Sequence, residues 1–396
     1  MALSVKRIYL DHNATTPLRA EALRRWNEVA ERHYGNPSSV HASGRAARAI
    51  LDEAREECAA ALRVKEDEIS YTGGGTEALQ LAVYGAMWAR QTPTNAKGAL
   101  RGLVVSSIEH AAVLGVATRL AAQGVPVAYV PVDACGRITP ESVVEAARTV
   151  QAGVIAIQTA NNEIGTIQPL RAIRTALDAA FGQDRPWLVT DAVQAAGRIP
   201  LELGNCGADI AVLSAHKFGG PSGVGLLWVK AGTRLVPMAD GEGQEYGLRP
   251  GTEAVPAIAA TAAALRLAVA EQPVVAAQMA SNCRLLWSLL SKQIPAVQLN
   301  GPPLDSLDRL PNTLNLSLAG TDGRTLVARL DLEGLETSAG SACASGSLEP
   351  SHVLVACGHA RDAARAALRL SLGRDTRSED VHMAVDILRR TFSSLR

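Results

Sequence analysis

Lys217 stands in Ser214-Ala215-His216-Lys217, between the apolar run 210–213 and the turn Phe218-Gly219-Gly220-Pro221. An amine at a strand's mouth forms a Schiff base when desolvation or a cationic neighbour lowers its pKa. Otherwise it is an exposed loop lysine. Asp191 ends the preceding apolar run in Thr190-Asp191-Ala192-Val193-Gln194. A carboxylate there holds the proton on a pyridine nitrogen and makes the ring an electron sink, or it caps a helix. Gln194 has an amide to donate to a phenolic oxygen on such a ring. Thr72-Gly73-Gly74-Gly75-Thr76-Glu77 follows a strand and opens a helix, so free amides, the Thr76 hydroxyl and the helix dipole suit a phosphate. It is neither a P-loop nor GxGxxG, which argues against nucleotides. His110, after another apolar run, stacks on a planar ring and shuttles protons, or caps a helix. Asn161 and Asn162 fix a hydroxyl and a carboxylate, or build a turn. Arg369, a charge within the apolar run 367–372, needs a carboxylate partner, and its fork suits a substrate carboxylate. Cys343 lies among small residues in Gly340-Ser341-Ala342-Cys343-Ala344-Ser345-Gly346, which reads as an exposed loop thiol placed there to react, or as a small apolar residue in a turn.

These side chains need a scaffold. Apolar runs at 69–71, 103–106, 127–130, 154–158, 187–190, 210–213 and 225–229 read as seven strands. Amphipathic stretches at 42–62, 76–89, 111–122 and 140–149 lie between several of them. Strand–helix alternation of this kind predicts a mainly parallel sheet covered by helices, with ligands at the carboxyl edge. The glycine loop, His110, Asn162, Asp191 and Lys217 all fall at strand ends, which places them on that one edge. A long helix is expected over 255–294, then a breaker at Gly301-Pro302-Pro303. The rest reads as a β-α-β unit (313–317, 325–331, 335–338, 367–372) with a terminal helix over 378–395. The expected division is a large domain over 16–258 and a smaller α+β C-terminal domain formed by 1–15 and 259–396.

Bulk composition narrows the class. The 396 residues are 47% apolar, and 39 basic residues balance 39 acidic ones. That balance gives no reason to expect nucleic acid or an anionic membrane as partner. The N-terminus lacks an apolar signal region. The apolar stretch 254–270 contains Arg266, which predicts a packed helix rather than a membrane span. Cysteines 58, 135, 206, 283, 343 and 357 show no paired spacing, so a disulfide framework and a zinc site are not expected. A reducing cytoplasm fits free thiols.

The sequence resembles the cysteine desulfurases of the NifS/IscS type, within the class V aminotransferases. The likeness is carried by Tyr9-Leu10-Asp11-His12-Asn13-Ala14-Thr15-Thr16-Pro17, Gly35-Asn36-Pro37-Ser38-Ser39, TGGGTEA, SSIEHAAVL, NNEIGTIQP, TDAVQ, SAHKFGGPSGVG, Gly251-Thr252, SAGSACASGS and LRLSLGR. The resemblance implies the fold type I of pyridoxal-phosphate-dependent transferases and pyridoxal 5'-phosphate as cofactor. It implies that Lys217 carries the Schiff base, that Gly75, Thr76, Ser214 and His216 hold the phosphate, and that Asp191 and Gln194 hold the ring. His110 would stack on that ring with Asn162 beside it. Thr252 would reach the phosphate of a neighbouring subunit, giving a homodimer with shared sites. Asn13, Asn162 and Arg369 would bind L-cysteine. Catalysis would fall to Lys217, His110 and Cys343, whose persulfide would pass to an acceptor or scaffold protein for iron–sulfur clusters or thiolation. Departures from the family pattern at Gly73-Gly74-Gly75, Pro221-Ser222-Gly223 and Gly241-Glu242-Gly243 remove no catalytic group. The competing expectations are a selenocysteine lyase or aminotransferase of the same fold, and a non-catalytic sulfur-trafficking scaffold.

Overall fold

A computed structural model describes residues 7–91, 100–318, 320–340 and 349–393. Cys343 lies outside the described residues. In chain order, a short strand β1 (Ile8–Tyr9) precedes helices α1 (Ala20–Arg32) and α2 (Ala42–Leu62). The alternating region follows as β2 (Ile69–Thr72), α3 (Gly75–Arg90), β3 (Gly102–Ser106), α4 (Ala111–Ala122), β4 (Val127–Val130), α5 (Pro140–Thr149), β5 (Ala152–Ala156), α6 (Leu170–Phe181), β6 (Trp187–Asp191), β7 (Ile210–Ser214) and β8 (Gly225–Val229). The helix α7 (Val255–Gln293) leads to β9 (Val297–Asn300), β10 (Thr313–Leu318), α8 (Gly323–Leu332) and β11 (Leu335–Glu336). Last come α9 (His352–Ala356), α10 (Arg361–Arg365), β12 (Ala367–Ser371) and α11 (Ser378–Ser393).

β3, β5 and β7 are buried along their whole length, as expected where helices cover both faces of a parallel sheet. Alternate residues feed two cores. Val104, Ile155, Leu188 and Ala211 pack on one face, and Leu103, Val105, Val154 and Val189 on the other. The seven strands run β2-β8-β7-β6-β5-β3-β4. All are parallel except β8, which is antiparallel to both neighbours. The reversal follows from chain length: the connection 215–224 is shorter than the dozen or so residues a parallel crossover requires. It returns as a tight loop, and that loop carries Lys217.

The long apolar helix α7 would cross a bilayer by length and composition alone. Instead, Ala257, Ile258, Ala260, Ala264, Leu265 and Ala268 are buried in the core under the sheet. Its later residues Cys283, Leu286 and Leu290 enter a second core with Leu314, Leu316, Leu368 and Leu370. One helix thus ties both cores together. The second core lies under an antiparallel sheet β12-β10-β9. β9 was not expected, because its four residues abut the Gly301-Pro302 breaker and offer too short an alternation to read. β1 pairs parallel with β11. Single bridges Asp11↔Ser371 and Ser338↔Arg369 stitch these two sheets together, bringing the chain's first strand beside Arg369.

Candidate active site

The residues expected at strand ends converge on a cleft of about 850 Å³, open mouth included, within the usual size of small-molecule sites. Asn13, Gly75, Thr76, His110, Asn162, Asp191, Gln194, Ser214, His216, Lys217 and Arg369 all line it. Ala14, Leu79, Ala160 and Val193 line it too. Sequence reasoning did not single out these four, since nothing chemical marks a small apolar lining residue. Thr252 is exposed and lies outside this lining.

His110 is the N-cap of α4, and its Nδ1 accepts from the Ala112 amide at 3.1 Å. The two readings of this residue coexist: the cap fixes the ring, and the acceptor role of Nδ1 places the neutral ring's proton on Nε2. Gly75 opens α3. A Cβ built on it would lie 3.0 Å from the Ser214 Cβ, so β7 and the α3 N-terminus approach closely there and a larger side chain would push Ser214 aside. His216, in the turn just past β7, meets the Thr15 hydroxyl through Nδ1 at 3.1 Å. Burial, with Lys217 and Arg198 adding to it, pushes its pKa down to about 4. It is a neutral hydrogen-bonding ring at physiological pH.

The Lys217 ammonium donates to the carbonyls of Asn13 (2.7 Å) and Ala14 (2.6 Å). The Asn13 carbonyl also accepts from Gln194 Nε2 at 3.0 Å. The Asn13 side chain is fully engaged with protein: Nδ2 donates to the Asn162 carbonyl and the Thr313 hydroxyl, and Oδ1 accepts from Asn312. Asp191 ends β6, and its Oδ1 accepts from the Val193 amide at 2.9 Å. Burial raises its pKa, while nearby His110 and Lys217 pull it back down. A desolvated carboxylate of this kind gains by pairing with a cationic N–H.

Arg369 is 1% exposed. The carboxylate it needs is supplied first by the protein: NH2 donates to Asp11 Oδ1 at 2.7 Å and NH1 to the Asn162 carbonyl at 3.1 Å. Among the described residues its buried Nε meets no hydrogen-bond partner. Asp11 was not foreseen as that partner. A buried arginine implies an acid somewhere, but sequence does not say which one. Behind the cleft, Arg198 donates to Gln194 Oε1 and to the carbonyls of Gln194 and His12. It too went unremarked.

These residues fit pyridoxal 5'-phosphate. The chemistry of the set matches the molecule's groups: an amine for its aldehyde, a desolvated carboxylate for its ring nitrogen, an amide N–H for its phenolic oxygen. The glycine-pinched helix N-terminus with two hydroxyls and a neutral histidine suits its phosphate. Among the described residues no His, Cys, Asp and Glu cluster is arranged to hold a metal ion.

The chain is similar to proteins of known family. The model of the aminotransferase class-V family matches residues 8–383. A cysteine desulfurase IscS from Dictyoglomus turgidum is 39% identical, covering 99% of this chain and 96% of its own length. The solved structure of a NifS-like protein superposes with a TM-score of 0.89 at 32% identity, covering 98% of this chain and 100% of its own. A structure described as SspA in complex with cysteine matches with a TM-score of 0.76 at 30% identity, covering 93% of this chain and 99% of its own.

Proposed function

Because the chain belongs to the class-V aminotransferase family and is a pyridoxal-phosphate-dependent cysteine desulfurase acting on L-cysteine, we propose that the cleft around Lys217 and Asp191 is where sulfur leaves the substrate. The observation that carries this reading is the convergence of both residues on one cavity with Gln194, His110 and the α3 N-terminus.

When bound, pyridoxal 5'-phosphate supplies a protonated ring that draws electrons from the substrate's α-carbon. Asp191 holds the proton on the ring nitrogen, and Gln194 donates to the phenolic oxygen. The α3 amides at Gly75 and Thr76, with Ser214 and His216, hold the phosphate. Lys217 must release the Asn13 and Ala14 carbonyls before its amine takes the proton from the substrate Cα. Arg369 and Asn162 receive the substrate carboxylate, with the guanidinium already oriented by Asp11. His110, its ring fixed by the Ala112 amide, serves proton transfer at the thiol groups. The Cys343 thiolate attacks the substrate sulfur. The S–S bond forms as Cβ–S breaks, the carbon takes a proton, and alanine leaves.

The persulfide then passes to an acceptor or scaffold protein, for iron–sulfur cluster assembly or a thiolation pathway. We place the reaction in the cytoplasm, supported by the free thiols of Cys58, Cys135, Cys206, Cys283 and Cys357. We also place it in a homodimer, supported by Thr252 being exposed and outside its own chain's cleft.

The test is Cys343→Ala. The variant should keep the yellow cofactor band and stop releasing both alanine and sulfide under reductant. Continued alanine release at the wild-type rate would remove Cys343 from the reaction and favour a lyase that needs no thiol, whereas loss of the substrate amine with no alanine and no sulfide would mark an aminotransferase.

A further inference from the structure

Arg198 is a buried cation with an unusual set of partners. It is 5% exposed, yet all its hydrogen bonds go to neutral acceptors. NH1 donates to the Gln194 carbonyl and to Gln194 Oε1, and NH2 to the carbonyls of His12 (3.0 Å) and Lys217 (3.5 Å). Among the described residues no carboxylate pairs with it. The charged group close enough to act on it is another cation, Arg369. Burying an uncompensated charge is costly, so such a group persists where an anion repays it. The neighbouring Arg369 differs in being held by Asp11, as Arg55 is by Glu245. Arg309 also donates only to carbonyls, those of Pro302 and Thr313, but does not line the cleft or contact a residue that holds the cofactor ring.

The contacts of Gln194 give the charge a direction. Arg198 takes the amide oxygen, and the Asn13 carbonyl takes one hydrogen of Nε2 at 3.0 Å. The remaining hydrogen is left for the cleft that Gln194 lines. With its oxygen drawn toward a guanidinium, the amide is polarised and its N–H becomes a stronger donor. A flipped amide would point its NH2 at the guanidinium and its oxygen at the Asn13 carbonyl, so both contacts oppose the flip.

We propose that Arg198 is a positioning residue for the cofactor's phenolic oxygen: it locks and polarises Gln194 as an N–H donor and places the compensating positive charge behind that oxygen. The inference rests on Gln194 meeting this oxygen, as in the reading above. The anion that repays the buried charge is then the ring's own oxyanion, reached through one amide.

The test uses the apo-protein and measures equilibrium binding of pyridoxal 5'-phosphate and of its 3-deoxy analogue, which lacks the phenolic oxygen. Wild type should bind the natural cofactor more tightly. Arg198→Gln should lose about tenfold in affinity for pyridoxal 5'-phosphate, the scale of one charge-assisted hydrogen bond, and little for the analogue. Arg198→Lys keeps the charge but reaches fewer acceptors, so it should recover part of the loss, and it serves alone if the glutamine variant does not fold. Equal losses for both ligands, or none, would reduce Arg198 to a structural strap and overturn the inference. If wild type itself did not distinguish the two ligands, the assignment of Gln194 to the phenolic oxygen would fail first.

Discussion

Gly75 shows how little separates a binding cradle from a filled one. Its backbone is not in the left-handed region, so alanine costs the helix nothing there and offers the usual gain in propensity. The new methyl would instead press on the Ser214 side chain at 3.0 Å, inside the space assigned to phosphate. Gly75→Ala should leave the apo-protein's melting temperature unchanged or slightly higher, while dialysis against pyridoxal 5'-phosphate shows affinity down about tenfold or more, the cost of a displaced charge-assisted contact. A parallel loss of melting temperature would mean the glycine serves packing instead. The ion pair Arg369–Asp11 makes the converse point. The protein satisfies its own buried charge with no ligand present, so the guanidinium is oriented in advance of any ligand.

At the scale of elements, α7 joins the two cores. Alanines at 257, 259, 260, 262, 263 and 264 give it a narrow surface, which lets α1 and α2 approach closely. Ala264 is wholly buried. Ala264→Leu should therefore destabilise by about 1–3 kcal/mol through overpacking, read as a lower urea midpoint with unchanged slope. The reversed strand β8 is the other decisive element. Because the chain turns back after β7 within 215–224, Lys217 sits in a loop braced on the sheet instead of on a wandering crossover. β8 was legible as a strand from its apolar run. Its direction was not, because direction depends on which neighbours it pairs with.

For the whole molecule, the buried titratable groups set a pH profile. Burial, with Arg198 adding to it, pushes His12 down to about 4, and His216 lies at a similar value. Unfolded histidines bind protons from about pH 6.5 downward, so these two contribute stability that is present above that pH and lost as it falls toward 4. Glu109 works oppositely. Burial raises it to about 8, against hydrogen bonds from Ser106 and the Gln158 amide. The fold keeps that proton while the unfolded chain has lost it, so stability falls as pH rises from about 4.5 to 8. Two histidines outweigh one glutamate below 6.5, and above it Glu109 acts alone among the three. Thermal melts of the apo-protein should rise from pH 4 to about 6.5 and then decline toward 8. Glu109→Gln, which mimics the protonated acid, should remove the decline. A wild-type curve flat from 6.5 to 8 would show that Glu109 is ionised in the fold.

What the amino-acid order determined by itself was local. Period-two and helical patterns placed most strands and helices, because each reports only which face of its own element is buried. Glycine, lysine and aspartate at strand ends marked the cleft, because a parallel sheet sends all such ends to one edge. Tertiary structure alone decided the rest: that Asp11 neutralises Arg369, that Arg198 stands behind Gln194, that β8 runs backwards, and that the Asn13 amide is occupied by protein. Each of these is a pairing between segments far apart in the chain, and a pairing is chosen by where the whole fold brings two groups, not by what either group is.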